Sequence, residues 1–466
     1  MIVTGKDLLK FGYEGADLGA ALRYVNSRAW QEGGLEAWLI ANKPAPKLPL
    51  QSGVDYAFNL LAGNDAEAEN VAKVRETMDA VMRTPTVRAG AVMPDACPAG
   101  PVGTIPVGGV VAAENAIHPG MHSADICCSV MVTEFKDSDP KAVLDAVHSV
   151  THFGPGGRQN GQRFTMSLGL LDAFRENDFL KDKKIVRAAQ EHMGTQGDGN
   201  HFAYVGVSKA SGNTCLVTHH GSRGPGAGLY KLGMKVAEKF RKKLSPATLK
   251  ANAWIPFDTE EGQVYWEALQ LIRKWTKANH NALHQATLEA AKGQMKERFW
   301  NEHNFVFKKG ELFYHAKGAT PVDAEMLPDS NGTQIVPLNM GEPILLIRGG
   351  VSARNLGFAP HGAGRNFSRS AHKRAKAGQS DAAIFAEETA HIDARFFCER
   401  IDISELPSAY KPAATVRQQM ADFELAEVVD EIMPYGCIMA GDWEYNAPWK
   451  VKARAKYAAR EAAAAA

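Results

Sequence analysis

The sequence predicts an α+β fold, one large catalytic unit of mixed β-sheets surrounded by helices. Three observations carry this. Strand-like and helix-like segments are mixed along the chain rather than strictly alternating, which disfavours a doubly wound sheet. The composition, 45% apolar and 23% charged, is that of an ordinary globular protein. Glycine-rich segments bearing Asp, Cys, His or Arg are spread from about residue 93 to 369, too widely for one small domain.

The elements follow in order. Residues 1–40 read as helical, with Leu8, Leu9, Leu18, Leu22 and Trp38 among the apolar positions. Residues 42–53 are proline-rich and read as a surface connector. A helix is expected over 65–83, with Asp65 as its N-cap and Val71, Val74, Met78 and Met82 at helical spacing. Short β-prone pieces separated by Gly/Pro turns then run over 87–135. Helices are expected at 140–148 and 166–175, and strands at 202–207 and 214–218. Lysine-rich 235–250 reads as a surface helix with one buried face. The longest helical pattern covers 260–296; strands follow at 311–315 and 344–347, and helices at 382–397 and 416–429. The basic, alanine-rich ending reads as a helix or frayed tail. The expected organisation is an N-terminal helical segment and connector over 1–50, a catalytic domain over 51–445 and a tail over 446–466.

The bulk chemistry narrows the class. No stretch of 18 apolar residues occurs, so no membrane-spanning helix is expected, and the N-terminus lacks the apolar core of a secretory signal. Six cysteines in 466 residues, two of them adjacent, do not form a disulfide framework. A reducing, cytoplasmic setting is expected, where a thiolate can bind metal. A net charge of +1 neither announces nor excludes nucleic acid, because phosphate contacts need only a local basic surface.

Five segments carry the chemistry: MPDACPAGPVGTIPVGGV (93–110), HSADICCSV (122–130), GTQGDGNHFAY (194–204), THHGSRGPG (218–226) and HGAGRNFSR (361–369). Any one reads equally well as a turn between strands; five together do not. Asp125 and Cys128 offer a carboxylate and a thiolate, which suits Zn²⁺ or Mn²⁺, and a thiolate can bridge two ions, although the pair alone reads rather as an exposed Asp next to a buried free Cys. His201, His219 and His303 lie in loop or strand-end contexts open to a metal role, although each alone reads as a hydrogen-bonded structural histidine. Arg223, Arg365 and Arg369 stand among Ser and Gly, the residue types that bind phosphate. The basic run 365–376 reads equally as a solvated helix face. From residues alone the class is a metalloenzyme acting on phosphate-bearing substrates, with a two-metal phosphoesterase fitting as well as a ligase.

These segments, in this order, resemble the RtcB family of RNA ligases. HGAGR followed by SR is specific, as is GNHF followed by H-x-GSRG; D-x-x-C, HN and H-x-KGAT (His315 to Thr320) support them. The resemblance covers most of the chain from about Met93 to Gly441. It implies joining of RNA ends bearing 2′,3′-cyclic phosphate or 3′-phosphate to 5′-hydroxyl ends, with GTP and two Mn²⁺, through a guanylylated histidine, in RNA repair or tRNA splicing. An archease-like activating protein is an implied partner. By motif, His361 is the nucleophile, and Asp125, Cys128, His201, His219 and His303 are the metal ligands, the H-x-GSRG pattern selecting His219 over His220. Asp95, Asn200, Phe202, Asn339, Gly362, Ala363 and Arg365 are expected at the nucleotide, and Arg223 and Arg369 at RNA phosphate.

The sequence departs from the family pattern around the base. Cys97 replaces the His of PD-x-H, Tyr204 a Glu that reads guanine, and Met439 a Lys; Pro337–Gly341 reads PLNMG for PGSMG, and His315-Ala316-Lys317 lacks the Arg of HRKG. ATP or relaxed nucleotide use is therefore an alternative to GTP. So are cyclic-phosphate hydrolysis by a metal-dependent phosphoesterase and RNA-end binding without catalysis.

Overall fold

The computed structural model describes residues 3–13, 15–27, 34–41, 43, 47–328, 330–447, 451–452 and 455. Three short helices, Gly5–Lys10, Gly15–Asn26 and Leu35–Ala41, open the chain and share a small core of Val3, Leu8, Tyr13, Ala21, Val25 and Leu39. Part of the proline-rich connector and nearly all of the basic tail lie outside the described residues.

Two large sheets build most of the rest, with two two-stranded ladders beside them among the described residues. A five-stranded sheet runs in the order Ala57–Phe58, Val87–Cys97, Val107–Glu114, Leu312–Lys317, Asn304–Lys309. The larger sheet runs Gln334–Val336, Ile344–Arg348, Glu427–Met439, Phe202–Ser208, Thr214–His220, Ser129–Lys136, Gln294–Glu302, with Asp393–Phe396 joined in parallel to Glu427–Met439. The α+β expectation thus holds, with mixed pairing and strands drawn from distant parts of the chain.

The 32-residue helix Glu260–Ala291 packs against the larger sheet. Its buried Tyr265, Leu269, Ile272, Thr276, Leu283 and Thr287 recur at helical spacing, which is why the sequence pattern is so plain there. It begins with the Thr259 hydroxyl accepting the Gly262 N–H and ends at Lys292 in the left-handed region.

Four local expectations are corrected. The N-cap of Asp65–Val81 is Asn64, whose side chain accepts the Glu67 N–H, not Asp65. The helix expected to 296 ends at Ala291, because from Gln294 the chain pairs along Ser129–Lys136. The segment 382–397 splits into helix Asp381–Glu388 and strand Asp393–Phe396. The segment 416–429 splits into helix Ala413–Asp422 and strand Glu427–Met439. In these last three, pairing with a distant strand overrides local helical periodicity. The surface helix of the lysine-rich run begins earlier than expected, at Arg223, and ends at Leu244.

Candidate functional site

Strand register gathers the chemistry at one end of the larger sheet. Phe202 pairs with His219, His219 with Val130, and Ser129 with Glu302. His201 just before one strand, His219 at the end of the next, Cys128 just before the third and His303 just after the fourth therefore converge. The Cys128 carbonyl accepts the His303 N–H at 2.9 Å, tying the last two together. Successive strand residues point to opposite faces, so His219 turns to the site while His220 turns back and stacks on His280 of the long helix at 3.5 Å.

The ligand atoms form two overlapping triads, Cys128/His219/His303 and Asp125/Cys128/His201, each with all its atoms within 4.8 Å. Cys128 Sγ lies 3.2 Å from His219 Nε2 and 3.7 Å from His201 Nε2. His219 Nε2 lies 3.2 Å from His303 Nε2, and His201 Nε2 lies 3.3 Å from Asp125 Oδ2. Outer partners fix the tautomers. His201 Nδ1 donates to the Gln196 carbonyl at 2.6 Å and His219 Nδ1 to that of Asn200 at 3.1 Å. Both Nε2 lone pairs thus face inward, as in histidine ligation of a metal. Gly221 is required beside them: a Cβ there would stand 1.7 Å from Asp125 Oδ1.

Electrostatics suits a cation. Burial pushes His219 down to about 3 and His303 well below its ordinary value, so both imidazoles are neutral. Burial alone would raise Asp125, but its contact with the His201 ring and its other neighbours hold it down at about 2. Burial, then the charge of Asp125, pushes the Cys128 thiol well up. A thiolate here needs a positive counter-charge, which a divalent ion supplies. Neutral imidazoles, an ionised carboxylate and a thiol shared by two triads make a donor set that fits two borderline ions.

His361 stands beside this cluster, its ring 4.8 Å from that of His303. The two-strand ladder Ala319–Pro321 with Phe358–Pro360 holds it there, and the His303 carbonyl accepts the N–H groups of Gly318 and Ala319. Asp95 lies in an irregular stretch of Val87–Cys97, where Val92 pairs with Gly109 and Cys97 with Val107. This bulge turns the Asp95 carboxylate onto His361 Nδ1 at 2.5 Å. A carboxylate only accepts, so Nδ1 carries a proton, and Nε2 is the atom that offers a lone pair in the neutral ring.

A cavity of about 450 Å³ opens onto the cluster. Asn200, Phe202, Asn339, Gly362, Ala363, Arg365 and Arg369 line it. Tyr204, Met340, Ile344, Cys437 and Met439, which pack as one apolar cluster, also line it. The Tyr204 hydroxyl is engaged by the carbonyls of Ile432 at 2.9 Å and Glu342 at 3.3 Å. Asn339 Oδ1 accepts the Gly341 N–H at 3.0 Å.

Some residues stand differently from expectation. Asp95 is buried against His361 rather than turned to the cavity. Arg223 does not line the cavity; it donates to Thr195 Oγ1 and to the carbonyls of Gly154 and Gly156, each at 3.0 Å. Arg365 donates to the Ser404 carbonyl and to Glu405, and Arg369 Nε to the other oxygen of Glu405 at 2.6 Å. Glu405 and Tyr410, unmarked in sequence, thus organise the arginine side of the cavity. Lys317 also lines it, and burial pulls its ammonium down to about 8; the H-x-KGAT motif was its signal.

Comparison with known proteins follows the same lines. Residues 157–440 match the family described as tRNA-splicing ligase RtcB. The tRNA-splicing ligase RtcB of Thermococcus kodakarensis is 25% identical over 325 residues, 61% of this chain and 64% of that protein. That of Pyrococcus furiosus is 27% identical over 300 residues, 56% of this chain and 31% of that protein. The RNA-splicing ligase RtcB of Escherichia coli is 25% identical over 371 residues, 71% of this chain and 86% of that protein. The matches thus span less than two thirds of the first two relatives' length.

Proposed function

The chain belongs to the RtcB family, and from that premise we propose that it is an RNA ligase that carries a nucleotide on His361. It would join RNA ends bearing 2′,3′-cyclic phosphate or 3′-phosphate to 5′-hydroxyl ends, in RNA repair or tRNA splicing. The observation that carries the reading is the His361–Asp95 pair beside the two triads.

In the first step His361 Nε2 attacks the α-phosphorus of a nucleoside triphosphate, and pyrophosphate leaves. Asp95 stabilises the charge that develops on the ring as the new N–P bond forms. A 2′,3′-cyclic end is first opened by water, which adds to phosphorus and releases the 2′-hydroxyl, leaving a 3′-phosphate; the nucleoside monophosphate then passes from His361 to an oxygen of that 3′-phosphate. The 5′-hydroxyl attacks that phosphorus and the nucleoside monophosphate leaves, closing the phosphodiester. Bound at the two triads, Mn²⁺, or Zn²⁺ as the alternative, would stabilise charge on the reacting phosphates. The Glu405-braced arginines and Lys317 would hold phosphate oxygens at the mouth of the cavity.

The apolar part of the cavity lining bears on the nucleotide. It offers a base van der Waals contact but no charged group, so the reading extends to GTP and ATP alike rather than GTP alone. The same apolar lining favours a second reading, a metal-dependent phosphoesterase that opens or removes the terminal phosphate without any nucleotide.

One experiment separates them. The protein with Mn²⁺ is incubated with α-labelled GTP or ATP, and with RNA bearing a cyclic phosphate. Ligation predicts acid-labile label on the protein that vanishes in His361→Ala. Label that persists in that variant removes His361 as nucleophile; phosphate processing with no label from either nucleotide favours the phosphoesterase.

A further inference from the structure

The turn that carries His361 and the bulge that carries Asp95 are held together by a third segment. Val92 pairs with Gly109 and Cys97 with Val107, so Met93, Pro94, Asp95 and Ala96 face Gly108 alone. Carbonyls in such a bulge lose their ladder partners, and a buried carbonyl left unpaired is costly. Two of them, those of Pro94 and Ala96, accept from one group, the ammonium of Lys411, at 3.1 and 2.7 Å. The residue between those two carbonyls is Asp95.

Lys411 reaches the bulge from the stretch between the 3₁₀ turn Pro407–Ala409 and the helix Ala413–Asp422, and it is only 5% exposed. Its backbone N–H donates at 3.1 Å to the carbonyl of Gly364, in the turn that follows His361. That turn lies directly on the bulge: a Cβ on Gly364, whose φ is +70°, would stand 1.9 Å from the Asp95 carbonyl oxygen. Lys411 therefore bonds both to the turn of the nucleophile and to the backbone on either side of the carboxylate that orients it. Burial pulls the Lys411 ammonium below its ordinary value, and the neighbouring Cys97, Asp95 and Glu67 oppose that pull.

A neutral side chain of the same length would fill the space but leave both carbonyls without a donor. The backbone at Asp95 would then turn towards other partners, and the carboxylate on His361 Nδ1 would turn with it. We infer that Lys411 is a positioning residue for nucleotidyl transfer, aiming the Asp95 carboxylate at His361 by clamping the backbone on both sides of it. The inference rests on the reading of His361 as nucleophile and adds what sets the aim of the pair. Lys411 does not line the cavity and belongs to neither triad, so its loss acts on the rate of transfer rather than on nucleotide or metal binding.

The test follows label from α-labelled GTP or ATP onto the full chain with Mn²⁺, over a range of nucleotide concentrations. Wild type, Lys411→Met, Asp95→Ala and the double variant are compared below the lowest of their melting temperatures. Lys411→Met is expected to slow transfer at saturating nucleotide on the order of tenfold, because a small displacement of a reacting group is costly. The half-saturating nucleotide concentration is expected to stay unchanged. In the Asp95→Ala background the same substitution is expected to cost no more than about twofold, because the group it aims is gone. An equal loss in both backgrounds overturns the inference while the nucleophile reading stands. So does transfer at wild-type rate in Lys411→Met, or a loss confined to the half-saturating concentration. If Lys411→Met does not fold, Lys411→Gln takes its place under the same criteria. A wild type that takes no label, or label that persists in His361→Ala, overturns the nucleophile reading and this inference with it.

Discussion

Asp95 Oδ2 accepts three hydrogen bonds from the His361 segment: the ring Nδ1–H at 2.5 Å and the backbone N–H groups of His361 at 3.1 Å and Gly362 at 3.3 Å. Its other oxygen, Oδ1, is buried without a partner among the described residues. One oxygen thus sets both the tautomer and the position of the ring. Asp95→Ala should leave metal binding intact and slow self-nucleotidylation on the order of a hundredfold or more. Asp95→Asn keeps an acceptor but loses the charge opposite the developing imidazolium, and should fall between. A time course of label transfer at saturating nucleotide checks this; an alanine variant at wild-type rate would remove the orienting role.

The shared thiol makes a stoichiometric prediction. Only Cys128 belongs to both triads. His303→Ala should lose one of two bound ions and keep the other, Asp125→Ala should do the converse, and Cys128→Ala should weaken both. Metal content after dialysis against limiting Mn²⁺ or Zn²⁺ measures it. If Cys128→Ala retains one ion at wild-type affinity, the thiol does not bridge.

Much of this centre was legible in the sequence, and the reason is local. The proposed metal ligands and His361 sit at strand ends in glycine-flanked segments, and the motif carries the residue beside its turn. His219 could be told from His220 by pattern, and alternation along Thr214–His220 supplies the physical reason. Glu405 was illegible. It comes from a short 3₁₀ turn, Ile403–Glu405, whose sequence has no glycine or phosphate-binding character, and it meets Arg365 and Arg369 only through the tertiary fold. The strands Asp393–Phe396 and Glu427–Met439 were hidden for the same reason. Their partners are far away in sequence, and their apolar residues continue the period of the preceding helices.

The apolar lining of the cavity predicts weak base discrimination. Tyr204 is committed to backbone carbonyls, and Met439 carries no hydrogen-bond donor. GTP and ATP should bind within a few-fold of each other, because neither Tyr204 nor Met439 offers the base a charge-assisted contact of about 1.5–3 kcal/mol to separate them. Competition between the two labelled nucleotides for His361 reads the ratio directly. A preference of a hundredfold for either base would mean that a group elsewhere reads it.

Buried histidines away from the ligand set predict an acid-sensitive fold. Burial pushes His118 and His122 down to about 4, against the hydrogen bonds each makes to backbone carbonyls. Below about pH 6.5 the unfolded chain binds protons that the folded chain refuses until near pH 4. Stability is therefore full above that window and falls as pH drops through it, by about 1 kcal/mol per histidine for each pH unit. Urea midpoints between pH 7.5 and 5 on the metal-free protein should decline accordingly, and less steeply in His118→Asn. A midpoint independent of pH would mean these histidines are hydrated in the folded state.

Glu405 gives the last prediction. It is buried, and its two oxygens answer Arg365, Arg369 and the Tyr410 hydroxyl. Removing one partner of a buried ionic group strands the others, a loss of about 3–5 kcal/mol where burial is complete. Arg369 is half exposed, so most of the cost falls on Arg365. Glu405→Ala should lower unfolding stability by roughly 3 kcal/mol, and Glu405→Gln, which keeps an acceptor and drops the charge, by less. The released guanidiniums should also bind phosphate without discrimination, steepening the salt dependence of RNA affinity by about one to two counterions. Unfolding curves and a salt series on the same variants measure both effects. A stable Glu405→Ala with an unchanged salt slope would mean that the carboxylate neither braces nor neutralises the two arginines.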